Sequence, residues 1–174
     1  MTAMCRATRP ESSRLPALPL VLLALLLAWA SIPRAFAQAG QLEELASFPT
    51  VKLEIETGKK KSLLFDVWVA STPSRQAQGL MFVRSLPPMR GMLFVHQSPK
   101  QITMWMKNTY IPLDMVFIDE GRIREIVEHT TPHSLDIIRS KQPAIAVLEI
   151  AAGEAKRLGL KPGQRVNYPP DAGK

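Results

Sequence analysis

Strict alternation of apolar and polar residues marks the first strands of the chain. Val51-Lys52-Leu53-Glu54-Ile55-Glu56 alternates at period two, which is typical of a half-buried β-strand. Residues 62–70 form a second, more apolar strand. Lys59-Lys60-Lys61 follows Gly58 between the two, so this basic run is predicted to be a solvated hairpin tip. Further strands are predicted at residues 91–95, 102–106, 113–118, 122–127, 144–150 and 164–168.

Two short helices are predicted between these strands. Thr72-Pro73 is a helix start, because a capping hydroxyl precedes a proline at the first helical position, and the helix is expected to end at Gly79. The second helix is predicted at residues 152–158, and a short helical turn around 42–45. Asp119-Glu120-Gly121 predicts a hairpin turn. The pattern as a whole predicts a compact, β-rich α+β domain, a curled sheet or small barrel of about seven short strands and two short helices.

The N-terminal residues have a different pattern. Arg6, Arg9 and Arg14 precede an almost wholly aliphatic run at 18–29, and Ala35-Phe36-Ala37 is a small-x-small cleavage signal. This layout predicts a secretory signal peptide, cleaved near Ala37, and a periplasmic or secreted protein that would contact the membrane only through an uncleaved leader. The predicted division is a signal peptide at 1–37, a lead-in segment at 38–50, a single β-rich domain at 51–168 and a flexible tail at 169–174.

Cleavage changes the composition of the chain. Cys5 is the one cysteine, so the mature domain would lack disulfides and depend on its packed core. The precursor has a net charge of +7, and loss of the four arginines and one glutamate of the leader lowers it to +4. We find no basic stripe with interleaved aromatic residues, so nucleic-acid binding is not predicted. No cofactor motif is present either, and the sequence does not determine the oligomeric state.

Five short motifs occur in a fixed order along the chain. They are Gly79-Leu80-Met81, Gly91-Met92-Leu93-Phe94, Met104-Trp105-Met106-Lys107-Asn108-Thr109, Ile111-Pro112-Leu113-Asp114 and Leu148-Glu149. Together they resemble a bacterial and archaeal family known as domain of unknown function 192, and the resemblance extends over about residues 51–166. It implies a β-rich single domain, often exported, with no established reaction.

Asp114 and Glu149 are the acidic residues that lie in strongly apolar segments, where a charge is costly unless it has a partner. One interpretation is a structural latch, in which Asn108 and Thr109 hold the turn before Pro112 and an arginine or lysine neutralises each acid. The other is a pocket for a sugar or other small polar molecule, with Trp105 as an aromatic platform. The polar residues expected to converge there are Arg75, Arg84, Lys107, Asn108, Asp114 and Glu149.

Two further functions remain open from the sequence. Met104 and Met106, with His96 as a nitrogen donor, form a candidate Cu(I) site, because thioethers suit Cu(I), although methionine is also a common core filler. Asp114 and Glu149 form the one plausible acid–base pair for a small hydrolase or lyase. The absence of a nucleophile elbow, phosphate loop or dinucleotide motif favours a non-catalytic binding or structural accessory module.

Overall fold

The computed structural model of the protein describes residues 42–58 and 61–173. The predicted signal peptide at 1–37 and the predicted hairpin-tip residues Lys59 and Lys60 lie outside the described residues. The strands are β1 (Thr50–Gly58), β2 (Lys61–Ala70), β3 (Arg90–Lys100), β4 (Thr103–Met104), β5 (Leu113–Asp119), β6 (Arg122–Val127), β7 (Ile138–Arg139), β8 (Ala144–Ala151) and β9 (Val166–Asn167). The helices are a 3-10 helix (Leu45–Ser47), α1 (Pro73–Gln78) and α2 (Glu154–Leu158).

Seven of these strands form one sheet in the order β6-β5-β8-β3-β2-β1-β9, and β4 pairs with β7 in a small second sheet. Neighbouring strands in the large sheet are antiparallel except β2 and β3, which are parallel. The chain segment that connects these two strands contains α1. The two edge strands approach each other through a bridge between Arg122 and Arg165. The sheet therefore curls toward closure, and the predicted β-rich α+β fold with a curled sheet and two short helices is confirmed.

Alternation along the strands divides the buried apolar side chains into two layers. The inner layer draws on strands from both edges of the sheet, as the interior of a curl must, and includes Leu53, Phe65, Leu93, Val116, Ile123, Leu148 and Val166. The outer layer lies on the other face of the central strands and includes Leu80, Met92, Phe94, Met106, Met115, Phe117 and Val147. Neighbouring residues of β8 therefore serve different layers.

Local signals determine α1 as the sequence predicted. Thr72 Oγ1 accepts a hydrogen bond from the backbone N–H of Arg75 at 3.3 Å, and Pro73 occupies the first turn. The helix stops at Gly79, which has a φ of 51°. A Cβ at this position would lie 3.1 Å from the ring of Phe94. Glycine is thus required both for the backbone angle and for the close approach to β3.

Other boundaries differ from the prediction. The strand expected at 102–106 is shortened to β4 because Thr109 N donates to Met106 O at 3.0 Å and turns the chain. The helix expected at 152–158 begins at Glu154, since Gly153 is left-handed with a φ of 84°. The helical turn expected around 42–45 lies at Leu45–Ser47. In residues 42–58 and 61–173, no helix has the length and apolar character that a membrane crossing requires.

Candidate functional site

The segment between β4 and β5, residues 105–112, is held at three points by the backbone of other segments; we call it the Trp105 loop. Met106 N donates to Ser134 O at 3.1 Å, Phe82 N donates to Asn108 O at 2.8 Å, and His133 N donates to Thr109 O at 3.2 Å. These bonds involve two separate segments of the chain, one at residue 82 and one at residues 133–134. The loop is therefore fixed in position although it contains little regular structure.

Backbone strain accompanies this attachment. Phe82, Asn108 and His133 have φ values of 64°, 56° and 62°, in the left-handed region that side chains other than glycine seldom adopt. Each of the three participates in one of the bonds to the Trp105 loop. Strain of this kind costs of order 1–3 kcal/mol per residue and tends to cluster at functional sites. The surrounding packing must therefore stabilise the loop in one conformation.

Glu149 lies beside the Trp105 loop, in the middle of the sheet. In the strand register it is opposite Met92 of β3 on one side and Met115 of β5 on the other, so its side chain projects into the outer layer. Glu149 is 4% exposed, and no described residue hydrogen-bonds to its carboxyl, whose oxygens are not fully enclosed and keep a small contact with solvent. Burial raises the pKa of Glu149 to about 8. The carboxyl is therefore mainly protonated and uncharged at neutral pH.

A narrow pocket of about 20 Å³ reaches Glu149 from the surface; we call it the Glu149 pocket. Its walls include Trp105, Lys107 and Thr109 from the Trp105 loop, and Gly79, Leu80 and Met81 from the segment after α1. A wider pocket of about 350 Å³ adjoins it and shares Gln76, Ala77, Phe94, Met104 and Trp105 with it. The two pockets together form one groove, which we call the Trp105 groove.

Four of the five sequence motifs meet at the Glu149 pocket. Gly79-Leu80-Met81 forms one wall and residues 104–109 form another, while Phe94 of the second motif and Glu149 of the last motif line the pocket from the sheet. These segments are far apart in the sequence. Among the predicted site residues, Trp105, Lys107 and Glu149 are brought together here, and Lys107 Nζ lies 5.3 Å from the centre of the Trp105 ring.

Asn108 supports the site from behind rather than lining it. Its carbonyl accepts the Phe82 N–H, and its side-chain amide lies 3.9 Å from Met81 Sδ. A left-handed φ suits asparagine better than most residues, which explains this residue type at the apex of the loop. Asn108 therefore joins two walls of the pocket.

The two predicted arginines lie elsewhere. Arg75 Nε is 2.9 Å from Glu43 Oε2, and its guanidinium lies 5.1 Å from the Phe48 ring. The guanidinium of Arg84 lies 5.1 Å from the Tyr110 ring. Neither arginine lines the Glu149 pocket. Each has a partner of its own, and periodicity along the sequence carries no information about such partners.

Asp114 is also separated from Glu149. It is opposite Ile150 in the strand register, whereas Glu149 is opposite Met115, so the two carboxyls project from opposite faces of the sheet. Asp114 is fully buried, and it accepts hydrogen bonds from His129 N at 2.9 Å and Ala155 N at 3.0 Å. The expectation that lysine or arginine neutralises both acids is wrong, because backbone amides satisfy Asp114 and Glu149 carries no charge at neutral pH. The two acids cannot converge on one substrate as an acid–base pair.

The structure separates Met106 from the other two candidate Cu(I) ligands. His96 and Met104 line the wider pocket, but Met106 is 1% exposed in the outer layer, with its Sδ 3.2 Å from Thr130 Oγ1. His96 Nε2 is buried without a hydrogen-bond partner, and burial together with nearby Lys100 lowers the pKa of His96. Among the described residues there is no group of three or more His, Cys, Asp and Glu side chains that could hold a metal ion.

Sequence reasoning did not identify several residues of the groove. Thr109 and Gly79-Leu80-Met81 line the Glu149 pocket, and Phe94 contributes to both pockets. Their signal was present in the motifs, which contain all five of these residues. The motifs do not reveal how the strands pair, and it is the pairing register that brings the motifs together.

Comparisons with known proteins agree with this fold. Residues 54–168 match the sequence model of domain of unknown function 192, described as an uncharacterized ACR. A candidate transcription regulator from Sinorhizobium meliloti 1021 is 42% identical, with a TM-score of 0.69 over 74% of this chain and 98% of its own. A protein of unknown function from Novosphingobium aromaticivorans DSM 12444 is 35% identical, with a TM-score of 0.67 over 79% of this chain and 98% of its own. No curated protein matches significantly.

Proposed function

The chain belongs to the family of domain of unknown function 192, and we propose that it is a non-catalytic binding module that holds a small polar ligand in the Trp105 groove. The family description assigns no reaction. The regulatory role of the Sinorhizobium relative is not extended to this chain, because its sequence lacks the basic stripe of a nucleic-acid reader. The proposal therefore depends on the groove itself.

The observation that supports it is the unpartnered carboxyl of Glu149 at the edge of the groove. Burying a polar group without a hydrogen bond costs of order 1–3 kcal/mol in proteins. Met92 and Met115 flank Glu149 on the neighbouring strands, so an apolar side chain would pack there without that cost. A bound molecule whose polar group pairs with the Glu149 carboxyl explains why a carboxyl is present instead.

Trp105 supplies the second element of the site. It is 43% exposed on a fixed loop, so part of the indole is available at no cost in loop ordering. Lys107 and Thr109 add a cation and a hydroxyl within the same pocket. An aromatic platform with a few convergent polar groups is the usual composition of a small-molecule site. Binding without catalysis fits a pocket in which Glu149 is the one acidic lining residue.

We propose that this module acts outside the cytoplasm, since the leader predicted at residues 1–37 would direct its export. A second candidate function is Cu(I) binding in the wider pocket. Its support is the unpartnered His96 Nε2, which lines the same pocket as the thioether of Met104. A neutral imidazole and a thioether are suitable ligands for Cu(I). Met106 is not part of this reduced set.

A thermal-shift screen of the purified protein tests the proposal. The probes are neutral monosaccharides, small carboxylic acids and small alcohols, each applied to the wild type and to Trp105→Ala. We expect at least one probe to raise the melting temperature of the wild type but not that of Trp105→Ala. Leu64→Ala is the control, because Leu64 is also exposed but lies on β2 and lines neither pocket. Equal responses of wild type and Trp105→Ala to every probe would overturn the proposal.

A further inference from the structure

The wider pocket of the Trp105 groove has an apolar side that the Glu149 pocket lacks. Phe94 and Met104 belong to or pack on the outer layer, and the exposed side chains of Trp105 and Ile137 stand beside them. The volume of about 350 Å³ falls at the lower end of the range for small-molecule sites. This part of the groove therefore suits an apolar body of several carbon atoms rather than a fully hydroxylated molecule.

The far end of the wider pocket is polar and lies on the last residues of β3. His96 Nε2 is buried there without a hydrogen-bond partner. Lys100 lines the same pocket, is exposed, and forms no ion pair with a described residue. A buried ring nitrogen without a partner is uncommon, since most such atoms are paired with protein or water. A turn of the imidazole toward the pocket would let a ligand atom hydrogen-bond to His96 Nε2 and remove this deficit.

The charges along the groove have one sign. Lys100 stands at the wider end and Lys107 at the Glu149 pocket, while Glu149 is uncharged at neutral pH because of its burial. Arg139 is opposite Thr103 in the small sheet, and Thr103 lines the wider pocket. No other acidic side chain lines either pocket. The groove therefore attracts an anion and repels a cation.

We propose that the ligand of the Trp105 groove is a small carboxylate with an apolar body, the body lying against Phe94, Met104 and Trp105 and the carboxylate reaching His96 and Lys100. This inference rests on the proposed binding function and names the class of the ligand end that occupies the wider pocket, whereas the polar group that pairs with Glu149 belongs to the other end of the ligand. The imidazole Nε2 donates a hydrogen bond to one carboxylate oxygen, and the Lys100 ammonium attracts its charge. Apolar contact provides most of the affinity, and the carboxylate determines the orientation.

Three probes of equal chain length separate these contributions: octanoate, octanol and octylammonium. Each is titrated into the purified protein at pH 7 while NMR chemical shifts report binding. We expect octanoate to bind about tenfold more tightly than octanol, since a charge-assisted hydrogen bond and an exposed ion pair together contribute of order 1–2 kcal/mol. Octylammonium should be the weakest of the three. The preference for octanoate should shrink as salt is added, because Lys100 is exposed.

Lys100→Gln provides the decisive comparison. It should lower the affinity for octanoate about three- to fivefold and leave octanol unchanged, since an exposed pair is worth up to about 1 kcal/mol. Lys156→Gln is the matched control, because Lys156 is an exposed lysine on α2 that lines neither pocket. Octanol binding as tightly as octanoate, or a Lys100→Gln protein that keeps the full preference, would overturn the carboxylate assignment.

The two proposals fail in different ways. If octanol or octylammonium binds best and Trp105→Ala abolishes that binding, the groove is a binding site but its ligand is not a carboxylate. If Trp105→Ala weakens the binding of none of the octyl probes and of none of the probes in the thermal-shift screen, both proposals are wrong. Both proposals are supported if octanoate is preferred and if it changes the NMR chemical shifts only of residues that line the wider pocket, such as Trp105 and Ile137.

Discussion

Asp114 and Glu149 lie on adjacent strands of one sheet and project from its opposite faces. Asp114 receives two backbone N–H groups, whereas Glu149 faces the Trp105 groove without a partner among the described residues. The same residue class thus fulfils two different roles. Asp114 stabilises the connection of β5 with the segments that contain His129 and Ala155, and Glu149 is available to a ligand. Each role predicts a distinct response to mutation.

Glu149 should make stability depend on pH. The folded protein keeps this carboxyl protonated up to about pH 8, whereas the unfolded chain ionises it near its ordinary pKa of 4.5. Between these values the unfolded chain binds fewer protons, so the free energy of unfolding falls as the pH rises. The contribution is fully present below about pH 4.5 and is lost by about pH 8. Urea unfolding of the wild type and Glu149→Gln at several pH values measures it.

The difference in unfolding free energy between these two proteins should decline by several kcal/mol over that range, since one pKa unit corresponds to about 1.4 kcal/mol. Taking the difference removes the opposite contribution of His96, whose lowered pKa favours stability at higher pH in both proteins. Parallel pH profiles of the two proteins would mean that Glu149 is not buried in an uncharged form.

Asp114→Ala should lower the free energy of unfolding by about 2–4 kcal/mol, because one buried and one partly buried backbone N–H group would lose their acceptor. Asp136→Ala is the control. Asp136 is exposed, its hydrogen bonds stay within two residues, and its replacement should cost less than about 0.5 kcal/mol. Chemical denaturation of both variants measures the costs, and equal values would show that the Asp114 carboxylate does not hold the two amides.

Lys107→Ala and Asp114→Ala should be additive in stability. A lysine that neutralised Asp114, as in the latch interpretation, would make the two changes non-additive, but Lys107 lines the Glu149 pocket and Asp114 is bonded to backbone amides of other segments. Independent sites add to within about 0.5 kcal/mol. The double variant, unfolded beside the two single ones, supplies the coupling free energy. A coupling free energy well above about 0.5 kcal/mol would favour the latch interpretation instead.

Any Cu(I) uptake should be independent of Met106, because its sulfur lies in the outer layer next to Thr130. Competition with a Cu(I) chelator for the wild type, Met104→Leu and Met106→Leu gives the comparison. We expect Met106→Leu to equal the wild type. If Met104→Leu also equals the wild type, copper binding is not a function of the groove, and a loss caused by Met106→Leu would show that the thioether is accessible after all.

Export predicts the N-terminus of the mature protein. Protein isolated from its native host should begin at or near Gln38, after Ala35-Phe36-Ala37. N-terminal sequencing reports this directly. An intact Met1 on a membrane-embedded protein would exclude cleavage and change the predicted location.

Local signals allowed much of the fold to be predicted. Thr72, Pro73 and Gly79 delimit α1 because capping, a fixed φ and a left-handed stop act within a few residues. The hairpin at Asp119-Glu120-Gly121 was predictable for the same reason, since β5 and β6 pair directly across it. Local structure that depends on neighbouring residues alone can be predicted from the sequence, because distant parts of the fold change it little.

The site was only partly predictable, because it depends on pairing between distant strands. Trp105, Lys107 and Glu149 meet in one pocket, but that meeting requires β8 to lie between β3 and β5 in a given register. A shift of one residue would turn Glu149 to the inner layer. Asp114 shows the converse, since its partners are backbone groups that no side-chain pattern reveals.

The closing seam of the sheet has a consequence for how the molecule opens. Few backbone hydrogen bonds join residues 121–123 to 163–166, and β9 contributes two residues, whereas β3, β8 and β5 pair along most of their lengths. The local unfolding that requires the least free energy should therefore detach β9 and leave the central strands paired. This local unfolding uncovers Ile123 and Val166. It would expose an unpaired strand edge and an apolar surface to neighbouring molecules.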